Sequence, residues 1–369
     1  MLKSRFIFLD GIRGIAANFV VILHSSLFRN FTALKLAHAY LAVDLFFILS
    51  GFVIANAYDK KLESGKLSLK FFIYIRLIRL YPIYLLSVLI CIPALVLGIV
   101  HDVPLWVQHP NLAQGAAIIA VTAMFLPFYV PGIFGLFPLN SPSWSLFFEL
   151  IMNFVYGLMH PILNTRVLIF IVFVASIGIF LVVKHNGHLN TGFQWEVFSF
   201  IGGIIRSTYG FFLGVLLHRY YPKLNYYFGG EIFPWVVVLM IVGVLASPQM
   251  AVYDELFVLF TVFLIFPIAL LFASKAHDSR MGRPLILLGS AIYPIYVLHV
   301  PIKEQLTYWS GPVVHNLAPY SGIAFVLALV ALSGWLERIY DIPVRNFLIA
   351  NLQKQVDQLK TRTSDATQK

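Results

Sequence analysis

The sequence predicts an all-α, polytopic integral membrane protein with about ten transmembrane helices and one further segment that is re-entrant or lies on the membrane surface. Hydrophobic residues make up 60% of its 369 residues, charged residues only 11%, and the mean hydropathy is +0.85. A soluble domain is nearer to half apolar and a quarter charged. Eleven apolar windows approach or exceed the length of about 20 residues that a helix needs to cross a bilayer.

The eleven apolar windows cover most of the chain. They are residues 14–28, 39–58, 80–100, 112–140, 143–165, 167–183, 197–217, 232–253, 256–273, 284–302 and 317–336. The window 112–140 differs from the others because prolines and glycines, such as Pro127, Pro131 and Gly132, interrupt it. Non-helical backbone is tolerated at membrane depth only where protein or water surrounds it. We therefore expect this segment to dip into the membrane or lie on its surface without crossing.

The positions of Lys and Arg set the predicted topology. Loops on the cytoplasmic side of a membrane protein carry an excess of both residues. If the N-terminus is cytoplasmic and residues 112–140 do not cross, nearly all basic residues fall on the cytoplasmic side. This arrangement predicts ten spans with both termini inside. The first span lacks a small-residue cleavage site, so we expect it to remain uncleaved.

Charge and cysteine content exclude several classes of function. The formal net charge of +10 reflects cytoplasmic loops in a chain of this kind, so no nucleic-acid partner is expected. The single cysteine, Cys91, excludes an internal disulfide and a cysteine-rich metal site. No histidine–carboxylate cluster has metal-ligand spacing, and no nucleotide-binding loop is present. We expect no metal and no permanently bound cofactor.

An arginine and a histidine stand out in the first span. Arg13 and His24 are eleven residues apart, which places both side chains on one helical face, roughly 16 Å apart along the axis. Ionisable groups within a span are costly and usually functional. Two ordinary explanations remain: an arginine that reaches back to the membrane surface and a histidine that packs at the interface.

Other polar residues lie in predicted spans nearer their outer ends: Asp44, Ser143, Ser145, Glu149, Arg206 and His299. The Asp44 carboxylate is expected to cap its helix, to pair with an arginine or to orient His24. Glu149 is expected either to pair with Arg206 or to bind a substrate. Ser143 and Ser145 favour caps or polar contacts at a helix start over nucleophiles, because no Gly-x-Ser-x-Gly elbow surrounds them.

Two patterns concern the predicted cytoplasmic half and helix packing. Arg76 and Arg79 are spaced i, i+3 at the cytoplasmic end of the third span, so one helical face presents both to an anion such as a phosphate. The pair Ser50-Gly51 in the second span favours close approach of a neighbouring helix.

The ordered set of motifs resembles the membrane-bound acyltransferase-3 family, the O-acyltransferases of bacterial surface polysaccharides. Residues 9–17 (LDGIRGIAA) resemble the opening of that family. The later motifs follow in the family's order: 43–52 (VDLFFILSGF), 76–82 (RLIRLYP), 143–149 (SWSLFFE), Arg206 with 212–214 (FLG), and 292–299 (IYPIYVLH). The likeness covers about residues 5–345.

The resemblance implies transfer of an acyl group, commonly acetyl, from cytoplasmic acyl-CoA to a hydroxyl of an extracytoplasmic glycan. Acyl-CoA is then a co-substrate, and the bilayer, the glycan and polysaccharide biosynthesis proteins are the expected partners. His24 is expected to act as base or acyl relay. The remaining roles are catalytic support by Asp44 and Glu149, donor binding by Arg13, Arg76 and Arg79, and substrate binding or support by Ser143, Ser145, Arg206, Tyr296 and His299.

Departures from the family pattern limit these expectations. Many members have a second polar residue after the glutamate, whereas here Leu150 follows Glu149. The chain is expected to comprise one transmembrane domain, residues 1–340, and a short cytoplasmic tail, 341–369, in a bacterial plasma membrane. No esterase-like domain is expected.

Two other functions fit the buried charges. One is a transporter of glycans or small anions, although no internal repeat supports it. The other is a non-catalytic component of a polysaccharide assembly complex.

Overall fold

A computed structural model describes residues 7–28, 36–101, 111–130, 135–224, 233–273, 289 and 291–367 of the protein. Within these ranges the regular structure is helical, apart from one isolated antiparallel bridge between Gly135 and Gln194. The predicted all-α fold is therefore confirmed.

Fourteen α-helices can be followed along the described ranges. They are α1 (Ile7–His24), α2 (Ala42–Glu63), α3 (Leu69–His101), α4 (Leu112–Ala123), α5 (Ser143–Met159), α6 (Thr165–Asn186), α7 (Val197–Leu224), α8 (Phe233–Leu245), α9 (Asp254–Phe260), α10 (Phe266–Ala273), α11 (Ile292–Ser310), α12 (Pro312–Asn316), α13 (Tyr320–Leu336) and α14 (Ile342–Thr367). Short π-helical segments, Thr261–Ile265 and Glu337–Asp341, join α9 to α10 and α13 to α14.

Seven helical stretches of the described chain are long and apolar enough to cross a membrane, which supports a multi-pass membrane protein. They are Ala39–Glu63, Leu69–Val100, Ser143–Ile162, Thr165–Asn186, Val197–Pro222, Ala251–Ala273 and Tyr320–Lys354. The other three predicted spans correspond to α1, α8 and α11. Helix α8 has only 13 residues, and α11 carries Lys303 and Glu304. The count of ten stays a prediction.

The broken window 112–140 contains one short helix. Helix α4 has 12 residues and is therefore about 18 Å long, well short of the roughly 30 Å hydrocarbon core. Its N-terminus carries a capping box, in which Asn111 and Gln114 exchange side-chain and backbone hydrogen bonds. The described residues that follow it, 124–130 and 135–142, contain no regular helix. This is the local structure expected of a segment that does not cross.

Helices α2 and α7 pack so closely that glycine is required at their crossing. A Cβ atom at Gly51 would lie 1.9 Å from the Phe211 carbonyl oxygen, and one at Gly214 would lie 2.0 Å from the Ile48 carbonyl oxygen. Both obstacles are backbone atoms, which a side-chain rotation cannot remove. The close approach of a neighbouring helix predicted from Ser50-Gly51 is therefore confirmed at Gly51.

Alanine at Gly51 or Gly214 should destabilise the protein by about 1–3 kcal/mol, because the added methyl group forces the two helices apart. The measurement is the unfolding free energy, or the thermal midpoint, of each purified variant in the same detergent. Gly243→Ala is the matched control. That glycine lies in α8, and a Cβ there would meet nothing within 4 Å. Equal stabilities for all three variants would contradict the close crossing.

Candidate active site

Helix α1 carries both Arg13, in its first half, and His24, its last residue, eleven residues further on. The helix is continuous from Ile7 to His24, so the two side chains share a face. Arg13 is half-buried and lines an internal cavity. His24 is the last residue of the helix, and its side chain is exposed.

The cavity has a volume of about 260 Å³ and lies among α1, α2, α3, α5, α11 and the π-helical segment after α13. Its polar lining contains all three arginines that the sequence analysis assigns to donor binding. The polar lining residues are Asp10, Arg13, Ser50, Arg76, Arg79, Ser145, Glu149, Tyr293, Tyr296 and Glu337. We call the part lined by Arg13, Arg76 and Arg79 the arginine end.

Two of the three arginines are held by carboxylates. The Arg76 NH2 lies 3.5 Å from Glu149 Oε1, and the Arg79 NH1 lies 3.4 Å from Asp341 Oδ2. The Arg79 guanidinium also stacks over the Tyr293 ring, 5.4 Å from its centroid. These contacts fix the direction of both side chains toward the cavity.

The arginine end keeps donors available for an anion. Arg13 forms no ion pair with any residue in the described ranges. The Nε of Arg76 is buried without a hydrogen-bond partner there, although burying an unsatisfied donor is costly. An anionic ligand in the cavity would satisfy both groups. Glu149, Asp10 and Glu337 also line the cavity, so its lining holds three carboxylates beside the three arginines.

A pair of histidines lies one helical turn beyond the far end of the cavity. The His24 Nδ1 is 3.2 Å from the His299 Nε2, and their ring centroids are 5.2 Å apart. The His299 side chain belongs to α11 and is buried, whereas the His24 ring is exposed. Lys303, one turn further along α11, donates from its Nζ to the His24 carbonyl oxygen at 3.2 Å. Helix α11 therefore holds the end of α1 in place.

Tyr296 connects the cavity to the histidine pair. Its side chain lines the cavity, and its ring centroid lies 5.9 Å from that of His299. The phenol and the Ser145 hydroxyl share a hydrogen bond of 2.5 Å, and both also approach the Pro142 carbonyl oxygen. The cavity lining itself does not include His24 or His299. A ligand reaching from the arginine end to His24 would therefore pass Tyr296 and Ser145.

Asp44 contacts Arg206 rather than His24. Its two carboxylate oxygens accept hydrogen bonds from Arg206, at 2.9 Å from Nε and 2.6 Å from NH2. Arg206 also donates to the Thr191 carbonyl oxygen and lies over the Trp144 ring. Only 2% of Asp44 and 1% of Arg206 are exposed. The expectation that Asp44 orients His24 is therefore wrong, and the alternative, pairing with an arginine, is correct.

The expected pairing of Glu149 with Arg206 is also wrong, because Asp44 occupies that arginine. Glu149 instead accepts a hydrogen bond of 2.6 Å from the Ser50 hydroxyl and one from Arg76. These contacts place Glu149 at the arginine end, not beside the histidines. Ser50 is thus a cavity residue, in addition to belonging to the pair whose sequence favours close helix packing.

The two serines at the start of α5 behave differently from each other. Helix α5 begins without a side-chain cap, so the expectation that Ser143 caps it is wrong. The Ser143 hydroxyl is buried and has no hydrogen-bond partner among the described residues. Ser145, by contrast, makes the contact to Tyr296 described above, in agreement with the predicted polar contact at the helix start.

Sequence reasoning missed several residues of the site. Asp341 is fully buried and binds both Arg79 and Arg345, and Glu337 lies one turn before it in the π-helical segment. Asn140 donates to the Val297 carbonyl oxygen and the Ser87 hydroxyl, which ties the chain before α5 to α11. The acidic pair Glu337 and Asp341 directly after an apolar run was the available signal. Nothing in the local sequence marks Asn140.

Comparison with known proteins agrees with this description. The sequence model of the acyltransferase-3 family (Acyl_transf_3), described as an acyltransferase domain, matches residues 6–338. The chain is also 42% identical to Protein 2 in picA locus of Rhizobium radiobacter over 159 residues, which cover 42% of this chain and 82% of that protein. No solved structure is significantly similar. The protein is therefore a multi-pass membrane protein that belongs to the acyltransferase-3 family.

Proposed function

We propose that the protein transfers an acyl group, acetyl above all, from cytoplasmic acyl-CoA to a hydroxyl group of an extracytoplasmic glycan. One observation carries this proposal: helix α1 presents Arg13, which pairs with no described residue, to an internal cavity and ends at an exposed histidine. In this proposal, donor binding and chemistry take place about three turns apart on the same helix.

The arginine end suits the phosphates of acyl-CoA. Guanidinium groups form charge-assisted, often bidentate hydrogen bonds with phosphate oxygens. Neither Arg13 nor the Nε of Arg76 makes a hydrogen bond to a described residue. Arg79 lines the same cavity. The thioester would then extend past Tyr296 and Ser145 toward His24.

His24 supplies the basic lone pair for the transfer. In the direct route, it takes the proton of the acceptor hydroxyl while that oxygen bonds to the thioester carbonyl carbon. The carbon–sulfur bond breaks, and the released thiolate takes a proton to become CoA. In the relay route, the same nitrogen bonds to the thioester carbonyl carbon, and the carbon–sulfur bond breaks to release the CoA thiolate. The hydroxyl oxygen then bonds to that carbon, the carbon–nitrogen bond breaks, and the hydroxyl proton passes to the thiolate.

The acceptor would approach His24 from the side opposite to the arginine end. With both termini in the cytoplasm, that side is extracytoplasmic, where surface polysaccharide is found. The bacterial plasma membrane is the proposed location, and polysaccharide biosynthesis proteins are the proposed partners. This arrangement explains why a transferase of this kind spans the membrane: its donor is made on one side and its acceptor lies on the other.

Arg13→Ala should raise the KM for acetyl-CoA by about ten-fold to a hundred-fold, because one charge-assisted hydrogen bond contributes about 1.5–3 kcal/mol. The kcat should change much less. Initial rates of acetyl transfer to purified glycan, measured over a range of acetyl-CoA concentrations, give both constants.

Arg338→Ala is the matched control. Arg338 adjoins the cavity residue Glu337 but is itself exposed and does not line the cavity. If both alanine variants change the KM equally, net positive charge rather than a specific Arg13 contact governs donor binding. If native protein transfers no acyl group from any acyl-CoA, the proposed function is wrong.

A further inference from the structure

The hydrogen bonds of His299 fix which of its ring nitrogens carries the proton. Its Nδ1 lies 2.7 Å from the carbonyl oxygen of Tyr296. A carbonyl oxygen only accepts hydrogen bonds, so Nδ1 must be protonated. The ring is 1% exposed and has no carboxylate within ion-pair distance among the described residues. Because a buried unpaired charge is costly, the ring is neutral and its Nε2 carries a lone pair.

The same reasoning then fixes the His24 ring. Its Nδ1 lies 3.2 Å from the His299 Nε2 and 3.0 Å from the Val20 carbonyl oxygen. Both of these atoms are acceptors, so the His24 Nδ1 carries the proton. The His24 Nε2 therefore holds the lone pair. Nε2 forms no hydrogen bond with the described part of the chain, and the side chain is exposed.

We propose that His299 is a positioning residue that acts through His24. It holds the His24 ring in the Nδ1–H tautomer and makes Nε2 the atom that accepts the proton or the acyl group. The inference rests on the proposed function, in which His24 performs the chemistry. A buried acid carries out the same orientation in many histidine-based enzymes; here a neutral histidine, itself held by the backbone at Tyr296, takes that place.

The inference also explains why Asp44 is not needed beside His24. When His24 Nε2 accepts a proton, the positive ring shares its Nδ1–H with two neutral acceptors, the His299 Nε2 and the Val20 carbonyl oxygen. No second proton moves in this step. The proton on His24 Nε2 subsequently passes to the departing thiolate, and the ring returns to its starting tautomer.

Two substitutions of His299 separate positioning from packing. His299→Gln can place an amide oxygen near the position of Nε2 and so keep an acceptor for His24. His299→Asn is shorter, so its amide reaches only the position of Nδ1 and leaves that acceptor missing. We expect His299→Asn to lower the kcat by about ten-fold to a hundred-fold, as for loss of an orienting partner. His299→Gln should retain more of the kcat, and neither variant should change the KM for acetyl-CoA much.

The tautomer can be observed without activity. Native protein labelled with 15N-histidine and reconstituted in lipid should show His24 as the Nδ1–H form by NMR, with the signal assigned by its loss in His24→Ala. In His299→Asn, the Nε2–H form should appear alongside it.

Equal losses of kcat in both His299 variants, with an unchanged His24 signal, would reduce His299 to a packing residue. An Nε2–H tautomer in the native protein would also overturn the inference. Absence of acyl transfer by native protein would instead overturn the proposed function, while the NMR signal still tests the positioning of His24.

Discussion

Replacement of His24 by alanine should lower the rate of acyl transfer by about 10²–10⁴-fold, the usual contribution of a positioned general base. The effect should fall on the kcat, because His24 does not line the cavity of the arginine end. Donor binding, measured as the affinity for acetyl-CoA at equilibrium, should remain near the native value. The measurement is the initial rate at saturating acetyl-CoA with equal amounts of reconstituted protein.

His185→Ala is the matched control for His24→Ala. His185 is an exposed histidine near the end of α6, and its ring packs against Phe198 rather than against the candidate site. Its loss should leave transfer unchanged. Full activity of His24→Ala would show that His24 takes no part in the chemistry and would contradict the proposed role of α1.

Asp44→Ala should destabilise the protein by about 3–5 kcal/mol, because it leaves the buried Arg206 guanidinium without its carboxylate partner. A fully desolvated charge has no water to replace the lost partner, and Arg206 is 1% exposed. The double variant Asp44→Ala/Arg206→Met should recover much of this loss, since it removes both charges. The measurement is the unfolding free energy in a common detergent.

The exposed ion pair between Lys184 and Glu255, 2.6 Å apart, offers a control with similar chemistry. Glu255→Ala should cost at most about 1 kcal/mol, as exposed pairs generally do. A structural role for the Asp44–Arg206 pair requires that Asp44→Ala lower the unfolding free energy by clearly more than Glu255→Ala does. A stable, fully folded Asp44→Asn variant that no longer transfers acyl groups would show that Asp44 has a catalytic role besides its ion pair.

Much of the fold and part of the site could be predicted because they depend on local sequence. The helical periodicity placed Arg13 and His24 on one face of α1, and the i, i+3 spacing placed Arg76 and Arg79 in one cavity. Gly51 marked the close crossing of α2 and α7. Each of these inferences needs only the geometry of one helix.

The partners of the buried charges could not be predicted, because they depend on how separate helices are registered. Asp44 and Arg206 are 162 residues apart in sequence, and nothing local distinguishes Arg206 from Arg76 as a partner for a carboxylate. The same limit applies to Glu149, which binds Ser50 and Arg76 across two other helices. The absent cap at Ser143 has a different cause: Pro142, directly before the helix, occupies the capping position.

In the proposed reaction, one protein joins a cytoplasmic donor to an extracytoplasmic acceptor. The direct measurement uses native protein inserted in liposomes in one orientation, with the arginine end toward the outside. Acetyl-labelled acetyl-CoA is supplied outside the liposomes, and polysaccharide is enclosed within them. The proposal predicts labelled polysaccharide inside the liposomes only when the donor is supplied outside, and far less label with His24→Ala. Movement of polysaccharide or of small anions across the bilayer, without any acetyl transfer, would contradict it and indicate a transporter.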